Sequence, residues 1–202
     1  MTQAVMRSHL GAVIIGLNGA GKSTLAHALA GKLGLYEMDV EDYFFPDQKA
    51  SRAAALDGGD PGSFLFPGLL PFSSARSEEE VENEILRDIR AHPRFVLSGV
   101  TMRWREEIVA AADCLIIISV PRETRLARIQ RREELRFGAR VLPGGDMYDQ
   151  QREFREFASK RTDDAIADTA AVFSCPRTTI DGTAPLSDVI SAAVRFIESA
   201  VS

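Results

Sequence analysis

Residues Gly16 to Ser23 read GLNGAGKS and stand directly behind the apolar run Ala12-Val13-Ile14-Ile15. All four fixed positions of the phosphate-cradling loop G-x-x-x-x-G-K-[ST] are filled, and the context it requires is present: a strand before, a helix after. The physical sense is a strand delivering the chain into a turn whose backbone N–H groups converge on phosphate oxygens at the positive end of a helix. Gly16, Gly19 and Gly21 let that backbone approach closely, with Asn18 and Ala20 completing the cradle. Lys22 is placed to reach the β- and γ-phosphates as a point charge, Ser23 to offer its hydroxyl to Mg²⁺, and Thr24 to touch the α-phosphate.

Working outward, 202 residues with 45% hydrophobic composition suffice for one core, and the expectation is a single domain over 1–202. The net charge of −5 argues against nucleic acid or a membrane surface as the partner. Positive charge is nevertheless concentrated: 11 of the 24 Lys and Arg residues lie between Arg122 and Arg161. The only cysteines, Cys114 and Cys175, lack metal-site spacing and read as reduced core thiols. Met1 to His9 has no apolar leader-like run, and no apolar stretch is long enough for a membrane span, so a cytoplasmic location is expected.

Strands are expected at 12–15, 35–38, 95–97, 113–120 and 178–180, with the Cys114–Ile118 run apolar on both faces as a buried parallel strand requires. Helices are expected after the loop up to Gly34, from Ser77 as N-cap through Ile89, over 104–112, from Pro121 into Arg136, from Asp146 as cap through Arg161, over 163–170 and over 186–200. Alternation of strand and helix gives an α/β fold, a doubly wound five-stranded parallel sheet. The stretch from Pro46 to Ser77 breaks that rhythm with Gly58-Gly59-Asp60-Pro61-Gly62 and Pro67-Gly68, yet carries Phe64, Phe66, Leu69, Leu70 and Phe72. An apolar insertion over 44–76 is expected, covering either an acceptor or simply the surface.

The strand ending Leu97-Ser98-Gly99 lacks the terminal aspartate that usually assists Mg²⁺ in phosphate-binding loops of this kind, so the acid must come from elsewhere. Asp39, at the end of the second strand in the segment Asp39-Val40-Glu41-Asp42-Tyr43-Phe44, is the obvious donor.

With these residues in hand, the chain resembles the P-loop small-molecule kinases of the adenylate kinase, shikimate kinase and uridine kinase group along nearly its whole length. The tail Leu142-Pro143-Gly144-Gly145-Asp146-Met147-Tyr148 and the helix to Arg161 also resemble poorly characterised bacterial AAA-family ATP-binding proteins. The resemblance implies ATP and Mg²⁺ as cofactors and a small-molecule acceptor. Absence of an NKxD guanine signature favours ATP over GTP. Arg125-Leu126-Ala127-Arg128-Ile129-Gln130-Arg131-Arg132 is similar to the entry of the mobile lid in such kinases, which implies a lid over 131–145, Arg128 at the adenine face and Arg132 on the phosphates. Asp39 would serve the metal with Ser23. Similarity to shikimate kinases points Glu41 toward the acceptor, and similarity to uridine kinases makes Asp42 the base; both stand open at this level. Asp181-Gly182-Thr183 resembles the loop bordering adenine. Arg52, Arg76 and Arg103 are unranked candidates for an anionic acceptor. His27 carries no role, and Trp104 reads as packing. The alternative function is an ATP-dependent switch in which the same lid reports nucleotide state to a protein partner.

Overall fold

The structure is a computed structural model and describes residues 8–60, 71–100 and 104–202. Phe64, Phe66, Leu69, Leu70 and Arg103 lie outside the described residues, as do Met1 to Arg7. Five strands form one parallel sheet in the order β2-β3-β1-β4-β5: β1 Leu10–Ile15, β2 Tyr36–Asp39, β3 Arg94–Gly99, β4 Cys114–Ser119 and β5 Arg177–Asp181. Helices α1 Lys22–Leu33, α4 Glu78–Ala91 and α6 Arg122–Phe137 lie in the crossovers between strands, and α9 Leu186–Ala200 follows the last strand. The other helices are α2 Val40–Phe44, α3 Lys49–Leu56, α5 Glu106–Ala110, α7 Tyr148–Lys160 and α8 Asp164–Ala171.

Residues of the central strand alternate between the two faces, as a period of two requires. Ala12 and Ile14 pack with Leu25 and Leu29 of α1 and Val189 and Ile197 of α9. Val13 and Ile15 pack with Val81 and Ile85 of α4, Ile108 of α5 and Ile166 of α8. These four residues of β1 have no exposed surface, so the strand that delivers the phosphate loop lies deep in the core. The chain leaves β1 toward β2 on one side of it and leaves β4 toward β5 on the other. The C-terminal ends of β1 and β4 therefore open a crevice, the usual ligand position in an open α/β sheet.

Helix ends follow local chemistry. Ser77 and Glu80 form a reciprocal capping box at the start of α4, and Gly34 closes α1 in the left-handed region at φ 61°. Three expectations change. The 46–77 stretch is partly regular, since α3 occupies Lys49–Leu56 after a 3₁₀ turn at Pro46–Gln48; the Ala-rich run Lys49-Ala50-Ser51-Arg52-Ala53-Ala54-Ala55-Leu56 has high helix propensity, outweighing the flanking breakers. Asp146 does not cap α7, whose N-cap is Met147; its carboxylate instead takes the Arg140 guanidinium at 2.8 Å. The glycine-bearing 137–145 segment begins with a 3₁₀ turn, Gly138–Val141, continuing α6. Trp104 packs edge-on to Phe173 as a core residue.

Candidate active site

The phosphate loop follows β1 as read. Gly19 and Gly21 have φ of +82° and +100°, in the region that favours glycine. A Cβ on Gly19 would lie 2.4 Å from the Arg125 carbonyl oxygen. Helix α6 thus presses its first turns directly against the loop. Gly21 is the N-cap of α1 and provides no side-chain cap, so the first-turn N–H groups of Lys22, Ser23 and Thr24, which have no partner within a helix, face outward for an anion.

Lys22 Nζ donates to the Leu17 carbonyl at 3.3 Å. Its pKa is lowered to about 8: desolvation drives it down, the carboxylates of Asp39 and Glu41 oppose, and the charges of Arg132 and Arg161 add to the lowering. The charges of Arg132 and Arg161 are thus felt at Lys22, at the head of α1. Arg161, at the end of α7, was not singled out from the sequence; only its clustering with the other arginines hinted at it.

Asp39 stands at the C-terminal end of β2, in register with Ser98 of β3. Its Oδ2 accepts from Ser23 Oγ at 2.5 Å and from Ser98 Oγ at 2.8 Å, and its Oδ1 accepts from the Glu41 backbone N–H at 2.9 Å. The acid missing from β3 is thus supplied by the neighbouring strand, one residue across the sheet. Ser23 and Asp39 make an oxygen-only pair suited to a hard cation that keeps most of its ligands as waters and phosphate oxygens, as Mg²⁺ does. Among the described residues no group of three or more His, Cys, Asp or Glu gathers as a protein-only metal cage.

Asp42 and Glu41 part company. Asp42 is 8% exposed and is held by Arg52, whose Nε donates to Oδ1 at 2.7 Å and whose Nη2 donates to Oδ2. Arg52 also lies 3.5 Å from Asp39 and from Glu37. Burial acts to lower the Arg52 pKa, but the Asp42 hydrogen bonds and the charges of Asp39, Asp42 and Glu37 prevail and raise it. Arg52 is committed to carboxylates rather than to an anionic acceptor. Glu41, on the next turn position of α2, instead lines a cavity of ≈ 280 Å³.

That cavity lies between α2, the segment at Phe72, α6 and α7. Phe45, Phe72, Phe137 and Phe154 form its aromatic walls, and Arg132 and Arg136 supply its positive charge. Phe72 adopts φ 63°, an uncommon backbone for a bulky residue, and stacks edge-on against Phe45 and Phe137. Arg136 is buried, donates to Ser51 Oγ at 2.9 Å and to the Gln48 carbonyl and Oε1 at 3.1 Å, and lies over the Phe72 and Phe137 rings. Burial lowers its pKa to about 10, with Glu41 opposing and Arg132 and Arg52 reinforcing. Arg136 and Glu133 were not singled out; a charge buried in the middle of a charged run leaves no mark in the sequence.

Arg128 donates to the Ala20 carbonyl at 3.4 Å and to the Gly182 carbonyl at 2.9 Å, and Arg125 to the Asn18 carbonyl at 3.2 Å. The root of α6 is bolted to the loop and to the turn after β5. Gly182 allows this closeness, since a Cβ there would fall 2.5 Å from Ile118 Cγ2 and 3.1 Å from the Ala20 oxygen. Asp181 folds back to accept from Thr183 N and Oγ1 at 2.8 and 2.7 Å, so it shapes the turn instead of reaching outward. His27 bridges Glu37 and Asp57, tying the end of α3 to the sheet.

The architecture has known counterparts. A gluconokinase from Sinorhizobium meliloti 1021 matches over 96% of this chain and 94% of its own at a TM-score of 0.52, with 13% identity. An unliganded sugar kinase from Janibacter sp. HTCC2649 matches over 94% and 95% at a TM-score of 0.48 and 14% identity. The class defined by the sheet order and the loop at the end of β1 is the P-loop NTPase fold. Uncharacterized protein YqaC of Bacillus subtilis (strain 168) is 27% identical over 146 residues, spanning 72% of this chain and 69% of that one. No family model matches. No helix of the described residues is long and apolar enough to cross a membrane.

Proposed function

We propose that the chain is an ATP-dependent phosphotransferase acting on a small molecule bound in the phenylalanine-walled cavity. The observation that carries this reading is the position of Glu41: its charge acts on Lys22 on one side and on Arg136 on the other, and its side chain lines the cavity. One carboxylate thus links the phosphate-binding half to an open cavity of ligand size.

In this reading the loop amides and Lys22 hold the β- and γ-phosphates, and Ser23 and Asp39 would hold a Mg²⁺ ion, which would supply charge neutralisation on the phosphate oxygens. Glu41 accepts the proton from the acceptor hydroxyl as its oxygen bonds to the γ-phosphorus; the bond from that phosphorus to the bridging oxygen breaks and ADP departs with the electron pair. Asp42, saturated by Arg52, positions α2 and is not the base. Arg132 and Arg161 spread charge over the transferring group, and Arg128 with Asp181 and Gly182 borders the nucleotide base. Residues 131–145 act as the lid, and Phe45 and Phe72 wall the acceptor side, excluding water that would otherwise take the phosphate.

The test is ADP release measured across a panel of hydroxyl compounds with Mg²⁺ and ATP. Stimulation by one chemical class supports the reading. A panel that is inert throughout, while a protein fraction stimulates hydrolysis, replaces it with the switch reading. That second reading has one observation in its favour: Leu135, Leu142 and Phe157, on and beside the lid, are 70%, 49% and 53% exposed.

A further inference from the structure

Arg136 is a buried cation that lines the cavity without a counter-ion. Its guanidinium carries five N–H donors. Nε donates to Ser51 Oγ, and Nη2 donates to the Gln48 carbonyl and to Gln48 Oε1. All three acceptors are neutral. Nη1 has no hydrogen-bond partner among the described residues, and it is not one of the fully enclosed orphan atoms, as Arg125 Nε is. Its two N–H groups are therefore unused and open to the cavity that Arg136 lines.

The charge around it is unbalanced. Arg52 and Arg155 each hold a carboxylate, Asp42 and Glu133 respectively, whereas Arg136, 8% exposed, holds none among the described residues. Glu41 lines the same cavity and acts on Arg136 through its charge, yet the two do not meet in an ion pair. Space for a ligand separates them. A buried guanidinium with neutral partners alone carries a desolvation cost that a counter-charge offsets. One negative charge suffices, because a second would face the Glu41 carboxylate and be repelled.

We propose that the acceptor is a small hydroxy acid, its carboxylate received by the two N–H groups of Arg136 Nη1 and its hydroxyl standing at Glu41. This rests on the phosphotransferase reading only for the fate of the hydroxyl: its proton passes to Glu41, its oxygen bonds to the γ-phosphorus, and ADP leaves with the electron pair. The carboxylate site itself stands on Arg136. Ser51 and Gln48 hold the guanidinium in place before any ligand arrives, so binding costs little ordering of this side chain. A volume of ≈ 280 Å³ limits the acid to a small one.

Calorimetric binding with no nucleotide present separates the two claims. The probes are glycolate, 4-hydroxybutyrate, mandelate and gluconate, each paired with its primary amide, and glycerate beside glycerol 3-phosphate. An acid is expected to bind at least about tenfold more tightly than its amide. Arg136→Met is expected to abolish that preference while changing the binding of the amide little. Gln48→Glu leaves Arg136 in place and gives Nη2 an internal counter-charge; it is expected to reduce the preference about tenfold. Thermal melting checks that both variants fold, and Gln48→Glu decides the matter where Arg136→Met does not. Equal binding of acids and amides, a preference that survives in either folded variant, no binding by any acid, or tighter binding of glycerol 3-phosphate than of every carboxylate overturns the proposal. If acids bind as stated but none accepts phosphate from ATP, the carboxylate site holds and the phosphotransferase reading falls. If only neutral alcohols are phosphorylated, that reading holds and this one falls.

Discussion

The two halves of the site are built from different materials. The phosphate side is backbone: glycines at positive φ, first-turn N–H groups of α1, and one lysine, all within eight consecutive residues. The acceptor side is side chain: phenylalanines, arginines and carboxylates drawn from α2, the Phe72 segment, α6 and α7, more than 100 residues apart. A backbone cradle recognises any triphosphate, because every chain can present amides. A side-chain cavity recognises one shape. The difference teaches that a backbone cradle can be built within one short segment, whereas a side-chain cavity needs the whole fold to assemble it.

Breaking the shared half should have the largest effect. Lys22→Ala is expected to lower kcat by about 10³-fold or more, since it removes a cation from the migrating group, while melting within a few degrees of the parent; unchanged turnover would remove the basis of the assignment. Next comes the contrast between adjacent carboxylates. Glu41→Gln should cost about 10²-fold in kcat or more with ATP–Mg²⁺ affinity retained. Asp42→Asn should instead lower the melting temperature, because it strips the buried Arg52 of its bidentate partner. A larger kcat loss in Asp42→Asn at unaltered stability would exchange their roles.

Gly182→Ala probes the join between the halves. Its Cβ would meet Ile118 and Val120 side chains at 2.5 and 2.6 Å, and a cost of about 1–3 kcal/mol is expected from overpacking, read by urea unfolding together with weaker nucleotide binding.

The smallest effect is a pH dependence. The free protein holds Lys22 at about 8 against 10.5 for the ordinary amine. Between those values the unfolded chain carries more protons than the folded one, so this group makes stability rise with pH across that window. A bound triphosphate favours the ammonium and restores the proton. Nucleotide binding should therefore take up a proton at pH 8.5–9.5, seen as a dependence of the calorimetric heat on buffer ionisation enthalpy, and affinity should fall as pH rises through about 8. Heats independent of buffer would show that the lysine keeps its charge unaided.

The same division explains what the sequence revealed. GLNGAGKS, the five strands and the doubly wound order were legible because they depend on local pattern and on a two-residue period at Ala12 to Ile15. Asp39 was singled out by elimination, and its register with Ser98 sets it at the sheet edge where its carboxylate meets Ser23. Roles at Glu41 and Asp42 were not separable, because the partner that distinguishes them, Arg52, lies ten residues on and reads like any surface cation. Arg136 and Glu133 were hidden for a related reason: in Arg131-Arg132-Glu133-Glu134-Leu135-Arg136 the charged residues look alike, and only helix rotation decides that Leu135 faces solvent while Glu133 and Arg136 face inward. A charge buried against expectation is visible only once the neighbouring helices are in place.

The attachment of Arg128 to Ala20 and Gly182 has a mechanical meaning. With the near end of α6 pinned there, the remaining nine residues to Phe137 run about 14 Å at 1.5 Å per residue. At the far end the Arg136 guanidinium is held by Ser51 and by the carbonyl and Oε1 of Gln48. Helix α6 is therefore a strut fastened at both ends, and it ties the turn after β5 to the wall of the cavity.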